Sequence, residues 1–435
     1  MRGCARAKVV DGRAASGRAD NAVADALSAD PNTCMNSSAH TDALALAPLA
    51  RRTALIEPFR VMELVKRAMR LEQCGRSIIH LSIGEPDFTA PEPVTAALQA
   101  AVSAGNTGYT GALGIDPLRA AIARWQGEQF DVDVDPGRVV VTAGASGALL
   151  LACTALVDPG AKVLMSDPCY PCNRHFVTAT SGVPVPIPVG ADSRFQLTAA
   201  AVRAHWTADV AGVLLATPSN PTGTSIPFDE LGRVIDVARA HRGFSIVDEI
   251  YLGLSYEGRP RSALAHGQDI VVAGSFSKYF HMTGWRLGWL VVPPAWVPTF
   301  EKLAQNLFIC PSTLAQQAAV ACFGSEAQAI YAARRDEFRA RRDYIVPALK
   351  ALGFGIPVEP DGAFYVYLDC SAFSDSSTHF ASEMLEQIGV AIVPGEDFGS
   401  HQPQRYLRLS YAASMAKLQE AVSRLAAWLP SRLRA

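Results

Sequence analysis

The chain has 435 residues, 49% hydrophobic and 18% charged, so it can bury a large core and is long enough for more than one domain. Its 39 basic and 41 acidic residues leave a formal net charge of −2, which gives no electrostatic basis for binding nucleic acid or an anionic membrane surface. No apolar run reaches the roughly 18 residues that a membrane-spanning helix needs.

Residues 1–45 are rich in Ala, Arg, Ser, Asp and Asn and read as a disordered tail. They lack the apolar stretch of a secretory signal, and Asp11, Asp20, Asp25 and Asp30 interrupt what would otherwise suit an organelle presequence. A true start at Met35 is the other reading. Helical spacing begins over 58–70, with Val61, Leu64, Val65 and Ala68 on one face. A short strand over 78–83 runs into Gly84-Glu85-Pro86-Asp87-Phe88, where Gly and Pro enforce a loop. Pro91 and Pro93 then open another helix.

From there, apolar runs rich in β-branched residues alternate with helical stretches. The runs are 139–142, 162–165, 212–216, 244–248, 270–273 and 287–292, and the helices between them include 147–156 and 228–240. Such alternation predicts a mostly parallel sheet covered by helices, with function gathered at the C-terminal strand ends. A helical stretch over 296–350 is expected to break at Pro311 and Pro347. Strands at 364–368 and 406–410 suggest a smaller α+β domain. The nine cysteines (Cys4, Cys34, Cys74, Cys153, Cys169, Cys172, Cys310, Cys322, Cys370) are odd in number and partly within apolar runs, as expected of reduced thiols in the cytoplasm. Cys169 and Cys172 have C-x-x-C spacing, but no second pair or histidine cluster accompanies them, so no metal is expected.

The segment with most chemistry runs from Gly274 to Gly288. It places Lys278 straight after an apolar strand and a Ser-rich turn, where a depressed pKa would make the amine a nucleophile towards an aldehyde. Ser275 and Arg286 flank it and suit a dianionic phosphate. The pattern S-x-S-K-x-x-x-x-x-G-x-R-x-G resembles that of class I/II aminotransferases, the fold type I enzymes that use pyridoxal 5′-phosphate (PLP). Further segments resemble the family in the same order, over about 55–429. They are Val141-Thr142-Ala143-Gly144-Ala145-Ser146-Gly147, Asp167-Pro168-Cys169-Tyr170-Pro171, Thr217-Pro218-Ser219-Asn220-Pro221-Thr222-Gly223 and Val247-Asp248-Glu249-Ile250-Tyr251.

The resemblance implies an α/β fold: a large domain with a mostly parallel sheet of the seven-stranded type covered by helices, plus a smaller α+β domain. The expected division is a tail at 1–45, an arm at 46–88 that joins the small domain, a PLP-binding domain at 89–300 and a small domain at 301–435. It implies that Lys278 holds PLP as a Schiff base, that Ala145, Ser146, Ser275 and Arg286 bind its phosphate, and that Ser277 also touches the cofactor. Tyr170 would stack on the ring, Asp248 would pair with the pyridine nitrogen, and Asn220 and Tyr251 would reach the phenolic oxygen. Arg408 and Gly84 would take the substrate α-carboxylate, with Asn220 alongside. Tyr109 would reach the phosphate of a neighbouring subunit, making the enzyme a homodimer with shared sites.

The implied function is amino transfer from an L-amino acid to a 2-oxo acid such as 2-oxoglutarate, by ping-pong chemistry in the cytoplasm. A C–S lyase or decarboxylase would use the same lysine, aspartate and arginine. A non-enzymatic regulator would need a DNA-binding module, for which the first 54 residues are too short and irregular. An apolar or aromatic donor is expected, with 306–312, Phe59 and Phe364 near the pocket mouth; no second arginine for a distal carboxylate is assignable.

Overall fold

The β-branched runs become strands because both of their faces are covered. In the computed structural model, which describes residues 47–58 and 61–432, the strands are β1 (Ile79–His80), β2 (Val139–Thr142), β3 (Lys162–Asp167), β4 (Val183–Pro188), β5 (Val210–Ala216), β6 (Phe244–Asp248), β7 (Val271–Ser275), β8 (Gly288–Val291), β9 (Tyr365–Asp369), β10 (Val390–Ala391), β11 (Val393–Pro394) and β12 (Tyr406–Ser410). The helices are α1 (Val61–Gln73), α2 (Glu92–Ser103), α3 (Asp116–Phe130), α4 (Gly144–Leu156), α5 (Pro171–Ala179), α6 (Ala199–His205), α7 (Phe228–Ala240), α8 (Val297–Leu307), α9 (Thr313–Ala319), α10 (Ser325–Ala351), α11 (Ser377–Glu383) and α12 (Met415–Trp428). The expected tail, the start at Met35, Cys4, Cys34 and Phe59 lie outside the described residues.

Seven strands form one sheet in the order β2-β8-β7-β6-β5-β3-β4. Only β8 runs against its neighbours. Successive residues alternate between two cores. Val139, Val141, Val213, Leu215 and Val247 pack on one face with α3 and α7, whereas Val140, Leu214, Ile246, Val271 and Ala273 pack on the other with α4 and α8. Burial on both faces is the reason these runs carry no polar alternation. A second sheet, β11-β12-β9, is antiparallel, and β1 pairs in parallel with β10.

Five points of the sequence reading need correction. The strand expected over 78–83 is only Ile79–His80, because its one partner, β10, is two residues long. Strand β4 was missed: its sequence Val183-Pro184-Val185-Pro186-Ile187-Pro188 carries three prolines, tolerable because β4 lies at the sheet edge and pairs only with β3. Pro347 does not break its helix; α10 runs through it to Ala351, held by buried Ile345, Val346 and Leu349. The segment 306–312 does not line the central cavity, and Leu307 and Ile309 are 51% and 55% exposed. Phe364 is fully buried against Tyr251 and Tyr365 rather than at the cavity mouth.

Candidate active site

The parallel strands β2, β3, β5, β6 and β7 all end at one edge of the sheet, and β8, being antiparallel, begins there. After β2 the first turn of α4 carries Ala145 and Ser146, the segments after the other four strands carry Tyr170, Asn220, Tyr251, and Ser277 and Lys278, and Asp248 and Ser275 are the last residues of β6 and β7. Arg286 precedes β8 and reaches the same edge from the other direction. Together with Gly84 and Arg408 these residues line one cavity of ≈460 Å³, a volume within the usual range for small-molecule sites. Of the residues that the sequence assigned to the cofactor or to the substrate carboxylate, Tyr109 alone is not brought there; it is 84% exposed.

Lys278 is half-buried at the cavity, and its Nζ donates to the Gly84 carbonyl at 2.5 Å. Desolvation lowers its ammonium from 10.5 to about 8, with Glu85 opposing the shift. A neutral amine is therefore accessible near physiological pH, which is what a nucleophile or proton carrier requires.

Asp248 is 4% exposed and accepts from the Ile250 N–H at 3.1 Å. Burial raises its carboxyl from 3.8 to about 6, with that hydrogen bond and Lys278 acting the other way. A buried carboxylate with so little compensation is a site for a cationic partner.

The start of α4 makes an anion cradle. Its N-cap, Ala143, offers no side-chain hydrogen bond, so the first-turn N–H groups are not capped from there. Gly144 has φ +73°, and a Cβ on it would lie 2.6 Å from Arg286 Nη2. The glycine thus allows a guanidinium to sit beside a helix N-terminus, two positive elements that together favour phosphate. Ser275 Oγ accepts from Ser277 N at 3.0 Å and fixes the turn before Lys278.

Arg408 is 2% exposed on β12. It donates to Asn220 Oδ1 at 3.1 Å and to the Ser82 carbonyl, its guanidinium lies 4.7 Å from the Tyr365 ring, and its Nε–H has no hydrogen-bond partner among the described residues. With Asn220 Oδ1 turned to Arg408, the amide N–H groups of Asn220 are left to donate elsewhere. Gly84 must be glycine for space: a Cβ there would meet Tyr365 Oη at 2.6 Å. That hydroxyl is 2.9 Å from Tyr251 Oη.

Sequence reasoning missed Tyr365, Thr283 and the apolar wall of Val61, Met62, Val65 and Ile83, all in the lining. Val61 and Val65 were legible as one helix face, but not what that face covers. Cys169 and Cys172 are free, burial pushes both thiols up, and among the described residues no cluster of three or more His, Cys, Asp or Glu could hold a metal. Among these residues no helix is long and apolar enough to cross a membrane.

Residues 76–425 match the family model for aminotransferase class I and II, a PLP-dependent family. The chain is 40% identical over 379 residues to a valine–pyruvate aminotransferase of Mycobacterium tuberculosis, covering 87% of this chain and 97% of that one. The crystal structure of an aminotransferase from Mycobacterium tuberculosis matches with a TM-score of 0.85 at 40% identity, over 89% of this chain and 100% of that one. Aspartate aminotransferase from Thermus thermophilus with maleate matches with a TM-score of 0.83 at 31% identity, over 88% and 100%. Motif order, sheet topology and these likenesses agree: the chain belongs to the class I and II aminotransferase family and is a transaminase.

Proposed function

We propose that the enzyme holds PLP at Lys278 and moves an amino group from an apolar L-amino acid to a 2-oxo acid. The observation that carries this reading is the Lys278 amine, lowered to about 8 by burial, in one cavity with a buried carboxylate, an anion cradle and a buried arginine fork. The residues present fit the cofactor: the α4 first turn with Ala145, Ser146, Ser275, Ser277 and Arg286 would hold its phosphate. Asp248 would keep a proton on its ring nitrogen, Tyr170 would stack on the ring, and Asn220 and Tyr251 would donate to its phenolic oxygen. When bound, PLP supplies an electron sink that makes the substrate Cα–H acidic.

The protein groups do the rest. Arg408 binds the α-carboxylate as a fork, with its open Nε–H adding a donor, and Gly84 leaves room for the carboxylate beside it. Lys278, once its amine is free, would take the proton from the substrate Cα and pass it to the bound cofactor, and would run the same transfer in reverse to place a proton on Cα when the 2-oxo acid is the acceptor. Carboxylate binding at Arg408, on the second sheet, orients the Cα–H bond and excludes water from the strand ends.

The cations in the described lining are Lys278, Arg286 and Arg408, each with a role already. Within this chain's own described lining the distal carboxylate of 2-oxoglutarate finds no further cation, which favours pyruvate as acceptor. The name of the Mycobacterium tuberculosis relative, valine–pyruvate aminotransferase, supports the same pair. Exposed Tyr109 supports a homodimer in which it reaches the neighbouring site, checked by mass in solution.

The test is an absorbance spectrum of purified enzyme with valine, alanine, phenylalanine and aspartate in turn. A visible band should move to the near ultraviolet with an apolar donor and return with pyruvate faster than with 2-oxoglutarate. A band that never interconverts would turn the reading towards a lyase or decarboxylase. No band after PLP is supplied would sink the role of Lys278.

A further inference from the structure

With the α-carboxylate at Arg408 and the amine at Lys278, the substrate side chain is left facing the apolar lining, which includes Val61, Met62, Val65 and Ile83. Three of these stand on α1, whose position is set by parts of the chain far away in sequence. The Val61 N–H, in the first turn of α1, donates to Asp397 Oδ2 at 2.8 Å in a buried bond spanning 336 residues. First-turn N–H groups have no partner inside their own helix, and a carboxylate also suits the positive end of the helix dipole. Further along, Arg67 pairs with Glu386 at 2.6 Å, and Ala68 packs with Ile78, Leu385 and Ala391.

Asp397 is 4% exposed and belongs to a short loop that holds other parts of the site in register. The ring of its neighbour Phe398 lies 4.9 Å from the Arg408 guanidinium. The Phe398 carbonyl accepts from Cys169 N at 2.9 Å, one residue before Tyr170. Ser400 and His401 donate to Asp167, the last residue of β3. One loop therefore ties together the apolar wall, the carboxylate fork and the residue after β3 that faces the ring.

We propose that Asp397 is a positioning residue that sets side-chain selectivity, holding the first turn of α1 so that Val61 and Val65 close on a branched apolar donor. The inference rests on the apolar-donor reading above. A small donor such as alanine reaches the wall less than valine does, so losing the anchor costs valine more.

The experiment uses full-length, PLP-loaded enzyme and compares kcat/KM for valine and alanine in wild type, Asp397→Ala and Asp397→Asn. Asp397→Ala should lower the valine-to-alanine ratio about tenfold, the size of a lost helix cap. Asp397→Asn keeps an acceptor for the Val61 N–H and should stay within about threefold of wild type. Hydrogen exchange over the first turn of α1 should quicken in Asp397→Ala. Val65→Ala, which leaves the anchor intact, should shift preference towards phenylalanine. An unchanged ratio, or unchanged exchange, in folded Asp397→Ala would overturn the proposal. If wild type itself transfers nothing from valine or alanine, the apolar-donor reading fails instead, and the exchange comparison still decides whether Asp397 holds α1.

Discussion

Asp248 offers a prediction in which stability and function move in opposite directions. Its carboxyl is 4% exposed, and burial lifts its pKa from 3.8 to about 6. In the folded, cofactor-free protein it therefore binds its proton more tightly than in the unfolded chain. Between about pH 4 and 6 unfolding releases a proton, so this group's contribution falls as pH rises through that window and stays lowered above it. Two pKa units at about 1.4 kcal/mol each put the cost of the buried charge at roughly 3 kcal/mol. Asp248→Asn removes the charge and keeps the shape, but buries an amide N–H₂ that needs partners, which returns about 1–2 kcal/mol of cost. The cofactor-free variant should then be more stable than wild type by about 1–2 kcal/mol near pH 7.5, with the advantage gone by about pH 4. With PLP bound the order should reverse, because a protonated ring nitrogen stabilises the carboxylate and not the amide. Urea unfolding of both proteins across this pH range, with and without PLP, measures all of it. A cofactor-free variant less stable than wild type near neutral pH, or an advantage that does not shrink on acidification, would refute the reasoning.

Three other substitutions test the site. Lys278→Ala should lower amino transfer by at least ~10²–10⁴-fold, read as the loss of single-turnover absorbance changes; an active variant would remove Lys278 from the mechanism. Arg408→Lys replaces a planar fork with a point charge and should raise KM for the donor by at least about tenfold while the cofactor band stays in place, as steady-state kinetics would show. Gly144→Ala forces a side chain into φ +73° and towards Arg286, so the PLP dissociation constant should rise about tenfold in a titration; unchanged affinity would mean the cradle does not hold the phosphate.

Much of this was legible along the chain because local patterns carried it. The strands β5 and β6 and the helix α7 declare themselves through continuous apolar runs and helical spacing. The loops that follow β2, β5, β6 and β7 carry chemistry in short motifs, and a parallel sheet brings such loops to one edge whatever the details of packing. Strand β4 escaped because proline argues against a strand wherever both sides must pair, and only the assembled sheet shows that this strand has one neighbour. The apolar face of α1 was visible, but a helical period says nothing about whether a face meets core or cavity.

The sequence by itself determined the fold class, the lysine and most of the polar residues that meet at the strand ends, since these are written in short local motifs, whereas Tyr365 and Thr283 are not. Tertiary structure alone decided how those pieces touch. Lys278 meets the Gly84 carbonyl across 194 residues, Arg408 meets Asn220 across 188, and Asp397 reaches α1 across 336. No periodicity links such partners. Their distances are set by the twist of one sheet and the seating of α1 and the second sheet beside it, and that seating shapes the apolar wall of the cavity.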